Sequence, residues 1–228
     1  MNSTSKPVKT KRIAIVLMGS PGSGKTTLAR GLAEYRPLSI IEVGSLLKRE
    51  VQRGTALGET IRPFTSAGKL VPLKFVEAIV SKAAGKAKED LVLFDGIPRS
   101  MIQVAPFLKL LADHDLKLGA VIVLTLDLQT ALDRLAGRLV CQKCGALYNS
   151  SSTTKQPKIC ERCGGKLVPR EDDGKKVVQA RFRRFERETV PVINFFKKEF
   201  RAVTWEQSAA APIKKRIDQV WGRLKKVI

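Results

Sequence analysis

The chain has 228 residues and a formal net charge of +21, from 42 Lys and Arg against 21 Asp and Glu. That length suits one α/β domain carrying insertions, and no stretch approaches the roughly 18 consecutive apolar residues of a transmembrane helix. The opening segment lacks the apolar middle of a secretory signal, so a cytoplasmic protein with no membrane partner is expected.

The charge excess has two readings. It can serve nucleic acid or a membrane surface, or it can be a general surface character from which a few arginines are drawn to bind phosphates. The basic residues are scattered through amphipathic helices and aromatics are few, which favours the second. Nucleic-acid contact is expected to be weak and non-specific.

Residues 1–12 form a basic, acid-free, hydroxyl-rich tail, short for a transit peptide and read as disordered. Ile13–Met18 is an apolar run suited to a buried parallel strand. Gly19–Thr26 reads Gly-Ser-Pro-Gly-Ser-Gly-Lys-Thr, a full phosphate-binding P-loop, and a helix can open straight after it. Backbone N–H groups of such a loop close around phosphate oxygens at a helix N-terminus. Lys25 would reach the terminal phosphates, and Thr26 or Thr27 would offer a hydroxyl to magnesium.

Further strand candidates are Leu38–Ile41, Leu91–Phe94, Val121–Leu126 and Ala202–Trp205. Helical stretches lie between them at Thr26–Tyr35, Pro72–Lys86, Ile102–His114 and Leu128–Arg138. Alternation of this kind predicts an α/β fold, a parallel five-stranded P-loop sheet flanked by helices. Asp95 ends the run Leu91–Phe94, where a carboxylate would hold magnesium through water. Two segments break the rhythm: 43–71, short helical pieces interrupted by Gly54, Gly58, Pro63 and Gly68, and 139–173, polar and turn-rich. They are expected to be insertions on a core made of 13–42, 72–138 and 174–228. Val177–Phe200 reads as a long basic helix bent at Pro191, and Ala211–Val227 as a final one. The sole histidine, His114, is read as a surface residue.

All four cysteines lie in the second insertion, as Cys141-x2-Cys144-x15-Cys160-x2-Cys163. Two such knuckles can converge on one ion in a tetrahedral, structural site. Zinc is the preferred reading. Iron would use the same four thiolates, and two disulfides would need an oxidising compartment.

In their order and spacing these motifs resemble the adenylate kinases, from Ile13 to about Phe200. Gly44-x3-Lys48, Gly54 and Ala67-Gly68-Lys69-Leu70-Val71 look like that family's monophosphate-binding arm. Asp95-Gly96-Ile97-Pro98-Arg99 with Gln103 is similar to its central signature. Asp133-Arg134-x3-Arg138 and Arg170-x-Asp172-Asp173 with Arg181 look like the two ends of its lid, and the cysteine segment like a zinc-bearing lid.

The resemblance implies reversible, magnesium-dependent phosphoryl transfer from ATP to AMP, giving two ADP. It implies ATP contacts at Gly22, Ser23, Gly24, Lys25, Thr26, Thr27, Arg134, Arg138, Leu147 and Tyr148. AMP would meet Val43, Gly44, Lys48, Lys69, Val71, Gly96, Arg99, Gln103, Arg170 and Arg181. Lys25, Arg99, Arg138, Arg170 and Arg181 would carry the transfer, with Asp172 and Asp173 orienting the arginines. Such a cluster suits a reaction whose acceptor is already an anionic phosphate, where positioning and charge neutralisation do the catalysis.

The chain departs from the family in several places. Thr26 stands where glycine is usual. Val43-Gly44-Ser45 lacks a hydroxyl and a carboxylate, Lys48 replaces an arginine, and Ile97 replaces a phenylalanine. These changes bear on the acceptor more than on the reaction, so UMP, CMP or GMP are alternative acceptors. A nucleic-acid-binding P-loop zinc protein is the alternative of another class.

Overall fold

In chain order, β1 (Arg12–Gly19) leads through α1 (Lys25–Ala33) to β2 (Ser39–Glu42). α2 (Val43–Gln52), α3 (Ala56–Ser66) and α4 (Leu73–Lys86) precede β3 (Leu91–Asp95), and α5 (Val104–Asp113) leads to β4 (Leu116–Thr125). After α6 (Leu128–Ala136) come three short strands, β5 (Arg138–Cys141), β6 (Leu147–Asn149) and β7 (Leu167–Pro169). α7 (Lys175–Arg184), a π-helical turn (Phe185–Thr189) and α8 (Val190–Glu199) return to β8 (Thr204–Ser208), and α9 (Ile213–Leu224) follows. These elements come from a computed structural model that describes residues 12–67, 69–149, 158–169, 173–201 and 204–228.

The central sheet is parallel throughout, in the order β2-β3-β1-β4-β8. Its apolar runs divide by parity, because successive side chains of a strand point to opposite faces. Ala14, Val16 and Met18 of β1, Val92 and Phe94 of β3, and Val121 and Val123 of β4 enter one core. Ile15, Leu17, Leu93, Ala120, Ile122 and Leu124 enter the other. The first core is closed by α4, α5 and α8 through Val80, Phe107 and Phe196, and the second by α1 and α9 through Leu28, Leu32 and Val220. α9 can lie on α1 because residue 31 is glycine: any Cβ there would collide with Ile217. β5, β6 and β7 form a separate antiparallel sheet, in the order β6-β5-β7.

Several boundaries differ from those read in the sequence, three of them for a local reason. β4 begins at Leu116, not Val121, because Asp115 turns the chain with a φ of 55° and Leu116 is already buried. Lys117 and Gly119 conceal this start. The helix expected to run through Arg138 ends at Ala136, with Gly137 as its cap, and Arg138 opens β5. The bend expected at Pro191 is the π-helical turn just before it. Pro191 stands in the first turn of α8 and has no N–H to continue an α-helical ladder.

His114 is half-buried, and its Nε2 meets Ser81 Oγ at 3.0 Å, tying the end of α5 to α4. Of the strand candidate Ala202–Trp205, residues 202–203 lie outside the described residues. No helix among the described residues is long and apolar enough to cross a membrane.

Candidate active site

β1 lies between β3 and β4, so the connections leaving the C-terminal ends of these strands diverge to opposite faces and open a crevice above β1. The P-loop fills that crevice. Gly24 takes a φ of 82° as it caps α1, a left-handed conformation that favours glycine. Ser23 is fully buried and its hydroxyl donates to Ser20 O at 2.8 Å. The Lys25 ammonium donates to Gly19 O at 2.8 Å and Ser20 O at 3.0 Å. Burial pushes the Lys25 pKa down to about 8; Asp95 opposes the shift, while Arg99, Arg181 and Arg138 add to it.

The two P-loop threonines part company. The Thr26 hydroxyl lies 2.9 Å from Asp95 Oδ2 and 3.2 Å from Glu42 Oε1. Thr27 makes neither contact and lines the cavity beside α9, which Thr26 also borders. Asp95 is buried at the end of β3, and burial raises its pKa. Two carboxylates and a hydroxyl are hard oxygen donors of the kind magnesium takes, so the residues present fit that ion.

A cleft of about 100 Å³ runs from the P-loop over Gly96, Arg99, Arg181 and Arg184 to Thr189. Gly96 has a φ of 93°, and a Cβ there would stand 2.7 Å from Arg99 Nη2. The Arg99 Nε donates to Gly96 O at 2.9 Å, and its carbonyl accepts from Thr189 Oγ1 at 2.9 Å. Ile97–Pro98 is a cis peptide. Gln103 is buried, and its Oε1 accepts the Arg99 backbone N–H at 2.7 Å. Arg138 and Arg181 meet on Asp173: Arg138 forks it at 2.6 and 2.5 Å, and Arg181 reaches it at 3.4 Å. Arg170 and Asp172 lie outside the described residues.

The expected AMP contacts on the first insertion are less concentrated. Val43 and Val71 are core residues, 3 % and 6 % exposed, and Gly44 has open space beside it. Lys48 and Lys69 are exposed and do not line the cleft.

A second cavity, of about 300 Å³, lies between α1, α9 and β6. Thr27, Arg30, Leu147, Ile213 and Ile217 line it, so Thr27 and Leu147 are brought together there. Arg134 donates to Ala209 O at 2.8 Å, holding α6 to the loop before α9. The Tyr148 hydroxyl points instead to the cysteines. It accepts from Glu161 N–H at 3.0 Å and lies 3.3 Å from Cys160 Sγ.

The four cysteines converge. Their sulfurs all lie within 4.8 Å of one another, and none is in a disulfide. The closest pairs cross between the knuckles, Cys141 to Cys163 at 3.5 Å and Cys144 to Cys160 at 3.6 Å. Tetrahedral zinc, with Zn–S of about 2.3 Å, places sulfurs about 3.8 Å apart, so the cluster fits that ion. A Cβ on Gly165 would stand 2.8 Å from Cys141 Sγ. The Tyr148 hydroxyl and nearby backbone N–H groups hold the Cys160 thiol down to about 6.

Glu42, Arg184, Thr189 and Arg216 were not singled out in the sequence. Arg216 of α9 is only 6 % exposed. It donates to Ser23 O at 3.1 Å from behind the P-loop, and its Nε has no hydrogen-bond partner among the described residues. Nothing local in α9 marks it; only the packing of α9 on α1 brings it there.

A parallel P-loop sheet with arginines gathered over the loop and a carboxylate ending the neighbouring strand defines a nucleoside monophosphate kinase. The comparisons agree. The family model described as adenylate kinase matches residues 17–201. The adenylate kinase of Pyrococcus furiosus is 33 % identical over 215 residues, 94 % of each chain. That of Thermococcus kodakarensis is 35 % identical over 184 residues, 80 % of this chain and 82 % of its own. That of Pseudothermotoga lettingae is 34 % identical over 216 residues, 94 % of this chain and 99 % of its own. The chain belongs to the adenylate kinase family.

Proposed function

We propose that the protein transfers the terminal phosphoryl group of ATP to AMP, reversibly and with magnesium, giving two ADP. The observation that carries this reading is the meeting of Lys25, Arg99 and Arg181 in one cleft, with the buried Asp95 hydrogen-bonded to Thr26, the residue after Lys25.

The donor's base would occupy the cavity between α1, α9 and β6, with its phosphates on the backbone N–H groups of the P-loop. The acceptor would sit across the cleft against residues 43–71, its base read by the Gln103 amide. An oxygen of the AMP phosphate then attacks the γ-phosphorus, and the bond from that phosphorus to the β–γ bridging oxygen breaks, leaving the charge on ADP. Lys25 holds the moving group. Arg99 and Arg181 neutralise donor and acceptor phosphates together, and Arg138 adds to them from the side of residues 139–173. Arginine suits this because its planar fork takes two phosphate oxygens.

Magnesium, when bound, draws negative charge from the phosphates; Thr26 and Asp95 would hold it. Residues 139–173 would act as a lid with hinges near Gly137 and Gly174, excluding water that would otherwise compete as acceptor. Zinc on Cys141, Cys144, Cys160 and Cys163 would hold that lid together.

A second reading, with another monophosphate as acceptor, is favoured by one observation: Lys48, standing in for an arginine, is exposed and away from the cleft. A coupled assay of AMP, GMP, CMP and UMP at one ATP concentration tests the choice. AMP should be the most efficient, with a high Michaelis constant. A rival that exceeds AMP about tenfold, roughly 1.4 kcal/mol, replaces it.

A further inference from the structure

β2 and β3 run in register, Ile41 beside Phe94 and Glu42 beside Asp95, so two carboxylates leave neighbouring strands at the same level. Neighbouring strands are only about 4.8 Å apart. Glu42 also stands at the N-cap of α2, where a side-chain oxygen can accept a hydrogen bond from its own helix. It makes no such bond. Its carboxylate turns towards the P-loop and lies 3.2 Å from the Thr26 hydroxyl, which is also 2.9 Å from Asp95.

One hydroxyl carries one proton and satisfies one of these acceptors at a time. Lys25 and Arg99 act on Asp95 electrostatically. Two like charges therefore converge on a single proton, beside a loop built for phosphate. A divalent cation relieves that repulsion, and carboxylate and hydroxyl oxygens are its preferred ligands.

We propose that Glu42 is a second carboxylate for the divalent cation accompanying the donor nucleotide, facing it together with Asp95 across the Thr26 hydroxyl. This rests on the proposed nucleotide site. Glu42 is a positioning residue: it holds the cation's water shell and so sets where the donor's terminal phosphate lies relative to Lys25.

The test titrates Mn2+, followed by electron paramagnetic resonance, into the full chain saturated with a non-hydrolysable ATP analogue. E42Q should weaken Mn2+ about tenfold, the loss usual for a residue supporting a metal site, and D95N should do likewise. The metal-free analogue should bind E42Q at least as tightly as wild type. Without metal or nucleotide, E42Q should melt no lower than wild type, because a repulsion has been removed. Mn2+ affinity within about twofold of wild type in E42Q overturns the proposal. So does a lower metal-free melting point with unchanged Mn2+ affinity, which would mark Glu42 as a structural acceptor for Thr26. If wild type binds no analogue at all, the nucleotide-site reading fails first and the proposal falls with it.

Discussion

Asp173 takes both prongs of the Arg138 guanidinium, at 2.6 and 2.5 Å, on a side chain only 5 % exposed. The pair joins the start of β5 to a residue two places before α7. Arg181 approaches the same carboxylate. One acidic side chain therefore holds two arginines, of which Arg181 lines the cleft.

Removing that carboxylate should unmoor both arginines. Asp173→Ala is expected to lower kcat about 10²-fold, the scale set by an ångström of misplacement at a reacting centre. Steady-state kinetics with ATP and AMP check this, and a change below about threefold would remove Asp173 from the positioning role.

Lys25 gives the site a pH signature. Its pKa of about 8 lies below the ordinary 10.5, so it is half charged near pH 8 in the free protein. kcat/KM for ATP, which reports the free enzyme, should fall as pH rises through about 8. Bound phosphate favours the charged form, so nucleotide binding at that pH should take up roughly half a proton. Calorimetry in two buffers of different ionisation enthalpy measures the uptake, and Lys25→Gln should abolish it. On stability the sign runs the other way. A depressed folded pKa gives a contribution present above 10.5 and lost as pH falls through about 8.

Zinc should be present at one ion per chain by elemental analysis. Chelation, or Cys160→Ser, should lower the thermal midpoint, because the small cluster of Cys141, Ala146, Cys160 and Leu167 has little other core. Metal-free protein with an unchanged midpoint in chelator would contradict this, and visible absorption would assign the site to iron.

Gln103→Ala should weaken discrimination among monophosphates, since a buried hydrogen bond left unmade costs about 1–3 kcal/mol. The same change leaves the Arg99 N–H without its acceptor, so a fall in kcat should accompany the loss of selectivity. Unchanged selectivity would take Gln103 out of base reading.

Local signals made much of this legible. The P-loop, the strand ending in Asp95 and the cysteine pairs are written in contiguous residues, and both strand parity and cluster geometry agree with them. What escaped was set by long-range packing. Glu42 reaches Thr26 only because β2 pairs with β3 in one register, and Arg216 reaches Ser23 across 193 residues of chain. Thr189 meets Arg99 through a π-helical turn that no propensity announces. Lys48, whose spacing fits a phosphate ligand, is exposed and does not line the cleft, and its place relative to a bound monophosphate is not written in the sequence.

The central claim is direct transfer of a phosphoryl group between two nucleotides over Lys25. It is tested most directly by following label from γ-32P-ATP in the presence of AMP and magnesium, with wild type and Lys25→Ala. The label should pass into the β-phosphate of newly formed ADP, with little released as inorganic phosphate. Lys25→Ala should keep less than about a tenth of the rate, a barrier increase of at least roughly 1.4 kcal/mol, while its circular dichroism stays that of wild type. Label that goes mainly to water, or a Lys25→Ala protein that transfers at close to the wild-type rate, would contradict the account.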